Sequence, residues 1–379
     1  MRVLLLAGEE SGVLYAERLR RALPGCEFRT YQDHYRTSDL AVMGFWAVIK
    51  RLFFFLGVQL TMKRVIREWR PDVVVTIDYP GLNLKLAAYA KARGIPAVHI
   101  VCPQVWAWHQ GRIPKVAAAV SRLLCFFPFE PALFKDYEGK GFHALFIGHP
   151  MVDVFAEEKE GVGSAALRHR SEGGPLLAIL PGSRVGEIQR NLPRLLDAVR
   201  LLDRKDLRVV IPAANDRAEA EIRATITARN DPIAPEVVKG GARDLLRRAD
   251  CAAVASGTAT LEAALAHCPT VLVYAVSAML AWFARHAIKD IKHIGLANVI
   301  AEKSGVEPPM PELLQEAFTP GAVAAQLTAW LDDAEARARA SRALDDVMAR
   351  LHSNGDALGL AAREIQEIAT CHTSGNLVK

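Results

Sequence analysis

The chain has 379 residues, more than one hydrophobic core usually serves, so two domains are the expectation. Its net charge of +5 is spread among mixed acidic and basic residues, which gives no nucleic-acid footprint and suits acidic lipids or a phosphorylated ligand equally well. Six scattered cysteines form no C-x-x-C pair and no zinc spacing, which excludes a disulfide scaffold and points to buried thiols in a reducing compartment.

The opening MRVLLLAGEESG reads as a first β-strand rather than a leader, because its apolar run is short and Glu9 and Glu10 follow at once. Further strand-like runs are EFRTYQ, DVVVTID, AVHIVC, RLLCFF and HALFIG. Continuous apolar, β-branched runs suit a parallel sheet buried on both faces. Helical segments such as SGVLYAERLRRAL and NLKLAAYAKARG alternate with them, which predicts a doubly wound α/β domain.

Leu40 to Leu60 is almost wholly apolar, yet Lys50 and Arg51 interrupt it and leave it short of the roughly 20 residues of a membrane span. Val42, Trp46, Ile49, Phe53, Leu56 and Leu60 recur at helical spacing and suit packing on the protein's own domain. Phe45, Val48, Leu52 and Phe55, with Phe54 beside them, form a second apolar face. That surplus, with Lys50, Arg51, Lys63, Arg64 and Arg67, predicts a helix lying on anionic headgroups; the plain alternative is a helix buried on both sides.

Residues 157–175 are charged and glycine-rich and read as a linker. Beyond it the alternation restarts with LLAIL, LRVVIPA, CAAVAS and TVLVYA, and the tail from Pro320 is helical. The expected organisation is an N-terminal domain over 1–160, a second over 172–345, and C-terminal helices over 346–379 that return to an N-terminal domain, their own or another chain's. Two Rossmann-like doubly wound parallel-sheet domains with a cleft between them and C-terminal helices make the GT-B architecture. It serves glycosyltransferases, some epimerases and phosphorylases, so fold alone names no reaction.

Ligands of open parallel sheets bind beyond the carboxyl ends of strands. Asp78 ends DVVVTID there, as a general base or equally as a turn-forming Asp. Asn83, just before a helical run, reads as an N-cap more readily than as a ligand. LLAILPGSRVGEI runs strand, turn, helix; Gly182 and Ser183 let backbone amides approach an anion and Arg184 adds a cationic fork. CAAVASGTATLEAAL repeats the design at Ser256, Gly257 and Thr258, with Glu262 on the first turns as an acceptor for ribose hydroxyls or a helix-dipole carboxylate. Two such turns favour a nucleotide diphosphate. CPQVWAWHQGRIPK sets Gln104, His109 and Arg112 beside Trp106 and Trp108, and no metal constellation is visible in the sequence.

GEESG, LAVMG, IDYPGLN, VCPQVWAWHQGR, FPFEP, FIGHP, LPGSRVGEI, ASGTATLEAAL and LANVIAEKSGVEPPMPELLQE stand in the order found in the bacterial lipid A disaccharide synthase family, which the chain resembles over nearly its whole length. The resemblance implies an inverting, metal- and cofactor-independent GT-B glycosyltransferase. It would move 2,3-diacylglucosamine from UDP to the 6-hydroxyl of 2,3-diacylglucosamine 1-phosphate, giving the β-1,6 disaccharide precursor of lipid A. It implies a peripheral protein on the cytoplasmic face of the anionic inner membrane, without nucleic-acid partners and with a homodimer open. Carried over, Asp78 and Glu9 are catalytic; Gly182, Ser183, Arg184, Ser256, Gly257, Thr258, Thr260, Glu262 and Asn298 are on the donor side; Ser11, Asn83, Gln104, Trp106 and Arg112 are on the acceptor side. The chain departs from the family pattern at Glu10, Val13, Tyr79 and Gly81 and lacks a glycine-rich segment after the second strand. A UDP-sugar epimerase and a non-catalytic lipid-binding paralogue of the same fold are the competing readings.

Overall fold

The first strand, β1 (Arg2–Ala7), buries every residue after Arg2. Val3, Leu5 and Ala7 enter one core and Leu4 and Leu6 another, because side chains alternate along a strand and both faces of this one are covered. In chain order there follow α1 (Glu10–Ala22), β2 (Glu27–Thr30), α2 (Leu52–Trp69), β3 (Val73–Ile77), α3 (Pro80–Lys91), β4 (Ala97–Ile100), α4 (Ile113–Ala119), β5 (Arg122–Cys125), β6 (His143–Phe146) and α5 (Pro150–Gly161). The strands form one parallel sheet in the order β2-β1-β3-β4-β5-β6. This computed structural model describes residues 1–8, 10–36, 52–107, 110–161, 174–229, 235–275, 292–353 and 355–376.

The second sheet is built from β7 (Leu176–Leu180), β8 (Arg208–Ala213), β9 (Glu236–Lys239), β10 (Cys251–Ala255), β11 (Thr270–Tyr274) and β12 (Glu312–Leu314). It is parallel throughout, in the order β12-β11-β10-β7-β8-β9. Its helices are α6 (Val185–Leu202), α7 (Asp216–Arg229), α8 (Ala242–Arg248), α9 (Thr258–Leu265), α10 (Leu296–Lys303), α11 (Pro320–Asp332) and α12 (Ala334–Met348). The chain forms two units, residues 1–153 with 351–379 and residues 154–350. The last helix, α13 (Ala357–Asn376), belongs to the first unit: Leu358, Ala361, Ala362, Ile365 and Ala369 bury against the β1, β3 and β4 face, and Glu364 pairs with Arg122 of β5 at 3.2 Å.

The ten expected strands are present. β9 and β12, absent from the sequence reading, are short and only partly buried, so neither shows a long apolar run. In each sheet the order reverses once, between β1 and β3 and between β7 and β10. At such switch points the loops leave in opposite directions and open a crevice for a ligand. The four carboxyl ends concerned lead into Gly8, Asp78, Pro181 and Ser256.

The apolar stretch resolves differently from expectation. Phe45 and Val48 lie outside the described residues, as does the side chain of Leu52. Within α2, Val58, Met62, Val65, Ile66 and Trp69 bury against Leu4, Leu6 and Val74. Phe54 and Phe55, expected to face outward, are half-buried: Phe54 packs edge-on against Tyr35 at 5.7 Å, and Phe55 packs 6.1 Å from Tyr79. Phe53, Leu56 and Leu60, expected to face the core, are 85%, 46% and 67% exposed. The helix is rotated because its core-facing stripe begins at Val58 and runs through Trp69. No helix among the described residues is long and apolar enough to cross a membrane.

β4 carries a wholly buried histidine. His99 Nδ1 is 2.7 Å from Thr76 Oγ1, its Nε2 has no partner, and burial pushes its pKa down to about 3. The folded ring therefore stays neutral where an unfolded one takes up a proton. The stability it allows is present above about pH 6.5 and is lost as pH falls toward 3. Urea unfolding between pH 6 and 4 should lose stability less steeply in His99→Leu than in the parent, by about 1.4 kcal/mol per pH unit.

Candidate functional site

At the first switch point β3 ends in backbone strain. Asp78 and Tyr79 are consecutive left-handed residues, at φ +49° and +53°, and Val101, at the matching end of β4, has φ +76°. Non-glycine residues rarely adopt this region, a β-branched one least of all, and such strain persists only where its surroundings over-determine it. Asn83 does so here. Its Nδ2 is within hydrogen-bond reach of the carbonyls of Leu6 (3.3 Å), Ile77 (3.2 Å) and Asp78 (2.7 Å), and its Oδ1 accepts from Tyr31 Oη at 2.7 Å. The Tyr79 ring covers Gly8, where an added Cβ would meet it at 3.2 Å.

The strained turn sets Asp78 into a cavity of about 250 Å³ whose lining includes Pro80, Val101, Cys102, Gln104 and Arg112. Burial pushes the Asp78 carboxyl above its ordinary range, opposed by a hydrogen bond from the Tyr79 amide. A partly desolvated carboxylate in a cleft is a good proton acceptor.

Behind this cavity Cys102 Sγ, Cys125 Sγ and a Glu130 carboxylate oxygen lie within 4.8 Å of one another, all buried. Among the described residues this is the only grouping with donors close enough to hold a metal. Its carboxylate already accepts from Trp106 Nε1 and the Phe127 amide, both at 3.2 Å, and burial pushes it up to about 8. Hydrogen bonding between the thiols and burial push Cys102 far up, and burial pushes Cys125 up, so neither is a reactive thiolate. The cluster is a hydrogen-bonded buttress under residues 102–106.

The second switch point carries two strand-to-helix turns around another cavity of about 250 Å³, lined among others by Gly182, Ser183, Glu187, Ser256, Gly257, Thr258 and Glu262. The first turn is filled from within. Glu187 accepts from the Ser183 amide (3.3 Å), the Arg184 amide (3.4 Å) and the Arg184 guanidinium (3.0 Å). Gly182 is required there, since a Cβ would stand 2.7 Å from that carboxylate. The expected cationic fork is thus engaged by a neighbouring carboxylate. At the second turn α9 begins with no side-chain cap, Gly257 has φ +152°, and the space where its Cβ would be is open. Uncapped amides at a helix start are an anion site in waiting. Glu262 closes this end: Arg243 Nε donates to it at 3.2 Å, and burial raises its carboxyl while Arg243 opposes the rise.

Of the residues expected from sequence, Asp78, Gln104 and Arg112 share one cavity, and Gly182, Ser183, Ser256, Gly257, Thr258 and Glu262 share the other. Asn83 is neither an N-cap nor an exposed acceptor contact: it lies inside α3, fully buried, because the helix begins at Pro80. Thr260 is buried with its hydroxyl on the Gly257 carbonyl, and Asn298 is buried with its amide on Met310 and Glu312. Thr260 thus supports the Gly257 turn from behind, and Asn298 holds the chain entering β12. Trp106 turns its indole N–H to Glu130. Glu9, Trp108 and His109 lie outside the described residues, as does the side chain of Ser11. Sequence reasoning missed Val101 and Arg243; only their neighbours in space mark them. It also missed Glu187, whose signal was its spacing of three from Arg184.

A family model described as lipid-A-disaccharide synthetase matches residues 3–358. The lipid-A-disaccharide synthase of Saccharophagus degradans is 36% identical, covering 87% of this chain and 88% of the relative. That of Syntrophus aciditrophicus is 35% identical over 94% of each, and that of Burkholderia pseudomallei 35% identical over 93% and 92%. Among solved structures, a putative UDP-N-acetylglucosamine 2-epimerase from Listeria monocytogenes aligns over 99% of this chain and 97% of its own, with TM-score 0.61 at 12% identity. The calicheamicin glycosyltransferase CalG4 aligns over 97% of each chain, with TM-score 0.54 at 15% identity. At those identities the structures show a shared fold alone.

Replacing Asn83 by Leu would leave the Tyr31 hydroxyl and buried carbonyls unpaired. The expected loss is about 2–4 kcal/mol of stability in urea unfolding, with Asn83→Ala no better.

Proposed function

The chain belongs to the lipid-A-disaccharide synthetase family, and from that premise we propose how its residues carry the reaction. The protein is a lipid-A-disaccharide-forming glycosyltransferase of GT-B fold, and the epimerase reading, which rests on fold alone, is not retained. Its substrates are a UDP-sugar and a lipid phosphate acceptor. In our proposal the second unit holds the donor. The uncapped start of α9 at Thr258 meets the diphosphate, and Glu262 accepts from the ribose hydroxyls. The first unit supplies the base. Asp78 takes the proton of the acceptor's 6-hydroxyl as that oxygen attacks the anomeric carbon. The bond from the anomeric carbon to the UDP oxygen breaks, and UDP leaves with its electron pair, stabilised by the helix amides. Attack opposite the leaving group inverts the anomeric centre. Gln104 and Arg112 line the same cavity as Asp78 and suit the polar and phosphate groups of the acceptor.

The observation that carries this reading is the strained, desolvated Asp78 at a switch point, braced by buried hydrogen bonds. Asp78→Asn should lower kcat by about 10²–10⁴-fold with UDP affinity within about twofold of the parent, measured by lipid product formation and calorimetry. A near-parental rate would overturn the base assignment. In the parent, kcat/KM should rise with pH through a carboxyl pKa above the ordinary aspartate range, because only the ionised form accepts the proton.

The same proposal sets the protein on the anionic inner face of the cytoplasmic membrane, where its acylated substrates reside. Phe53, Leu56, Leu60, Arg64 and Arg67 fall on one stripe of α2, apolar at its start and basic toward its end, with the three apolar residues exposed. That pattern suits insertion of the apolar turns beside anionic headgroups. Phe53→Ser with Leu60→Ser should abolish sedimentation with phosphatidylglycerol-containing vesicles while UDP binding persists. Unchanged co-sedimentation would sink the docking face.

A further inference from the structure

From Glu262, on the wall of the donor cavity, runs a chain of charges whose other members no step above uses. Glu158, near the end of α5, meets two arginines of α8. Arg247, its side chain 8% exposed, donates to Glu158 Oε2 at 3.0 Å and to the Phe155 carbonyl at 3.3 Å, and its guanidinium lies 4.7 Å from the centre of the Phe155 ring. Arg243 donates through Nη1 to Glu158 and through Nε to Glu262 Oε1 at 3.2 Å. The series Arg247, Glu158, Arg243, Glu262 thus runs from a packed guanidinium to a carboxylate on the wall of the donor cavity. A second opening of about 550 Å³, lined by Glu158, Gly240, Gly241, Arg243, Asp244 and Glu262, adjoins it, so Arg243 lies at the edge of ligand-accessible space.

We propose that Arg243, anchored by Glu158, is a positioning residue that orients the Glu262 carboxylate as a hydrogen-bond acceptor for the nucleotide. The inference rests on Glu262 being the ribose acceptor. The geometry favours this role over a plain surface ion pair. One carboxylate oxygen of Glu262 is held by Arg243 Nε at 3.2 Å, which restricts the side chain and leaves the other oxygen for a ligand. Arg243 is itself fixed, because its Nη1 is held by Glu158 and Glu158 by Arg247. A three-point arrangement of this kind loses little freedom when a ligand arrives.

Arg243 acts on charge as well as direction. Burial raises the Glu262 carboxyl, Glu158 raises it further, and Arg243 opposes both. Glu187 lines the same cavity, with its carboxylate engaged by the Ser183 and Arg184 amides and the Arg184 guanidinium. Among the described residues, Arg243 is the one cation in hydrogen-bond contact with Glu262. Without it, a buried carboxyl among other carboxylates takes up a proton and loses acceptor capacity. Loss of Arg243 therefore weakens nucleotide binding most at low pH and least where Glu262 is ionised regardless.

The test is calorimetric titration of the full chain with UDP at pH 6 and 8.5, with donor KM and kcat alongside, for Glu262→Gln, Arg243→Met, Arg243→Lys and Glu158→Gln. Arg243→Met should weaken UDP about tenfold or more at pH 6 and distinctly less at pH 8.5, a coupling of the order of one ion-paired hydrogen bond. Donor KM should rise with kcat nearly unchanged, Arg243→Lys should recover most of the loss, and Glu158→Gln should give a smaller loss that does not grow at pH 6, because it frees Arg243 while removing a charge that raises the Glu262 carboxyl. Equal loss at both pH values, with Lys no better than Met, would reduce Arg243 to a structural residue and overturn the inference. So would a weakened Glu262→Gln beside an unaffected Arg243→Met. If Glu262→Gln binds UDP as the parent does, the donor-site reading itself fails.

Discussion

The first unit depends on one buried amide. At a switch point the strands on either side send their chains opposite ways, and their last carbonyls lose the ladder partners they would have in mid-sheet. Asn83 collects three of these carbonyls, from Leu6, Ile77 and Asp78, and receives the Tyr31 hydroxyl on its own oxygen. Tyr31, wholly buried, has its pKa raised well above the ordinary phenol value by burial first, so it stays a donor. One side chain therefore ties β1, β3, α3 and the turn after β2 together. The tie also explains how two left-handed residues persist in succession: the Asp78 carbonyl is held at 2.7 Å, and Pro80 starts the helix immediately after Tyr79.

The device recurs in the second unit. Asn191, buried in α6, donates to the Pro181 carbonyl at 2.9 Å just beyond β7, and Asn298 ties α10 to Met310 and Glu312. Each is a helix residue reaching a carbonyl or carboxylate beside a strand end. A buried Asn in such a place has a different task from an exposed one at a ligand. Burial separates the two, and burial is not written in a motif. This is why Asn83 reads from sequence as a cap while the structure makes it a brace; Asn298, set on the donor side by the family resemblance, is buried and hydrogen-bonded in the same manner.

What the sequence made legible follows the same division. Strands buried on both faces announce themselves by continuous apolar runs, and the turns after β7 and β10 by their small residues, so the sheets and the cavity-lining turns were within reach. Edge strands β9 and β12 are half-covered, and their mixed residues carry no such mark. The rotation of α2 was out of reach for another reason. A helix apolar on two sides has no preferred phase until a partner sheet chooses one, and here Leu4, Leu6 and Val74 chose the side of Val58 and Met62, leaving Phe53 and Leu60 outside.

Two carboxylates with the same local chemistry end in different roles through their surroundings. Asp78 and Glu262 are both pushed up by burial. Asp78 is opposed by a single backbone amide, an interaction that leaves it ready to take a proton. Glu262 is opposed by a guanidinium at 3.2 Å, which favours the ionised form and a fixed direction. Glu187 shows a third outcome: with backbone amides and Arg184 around it, its charge is spent inside the protein, and the turn it fills is closed to an incoming anion unless the carboxylate withdraws. The residue type is common to all three. The number and kind of donors around each decides whether it accepts a proton, accepts a hydrogen bond, or holds a loop.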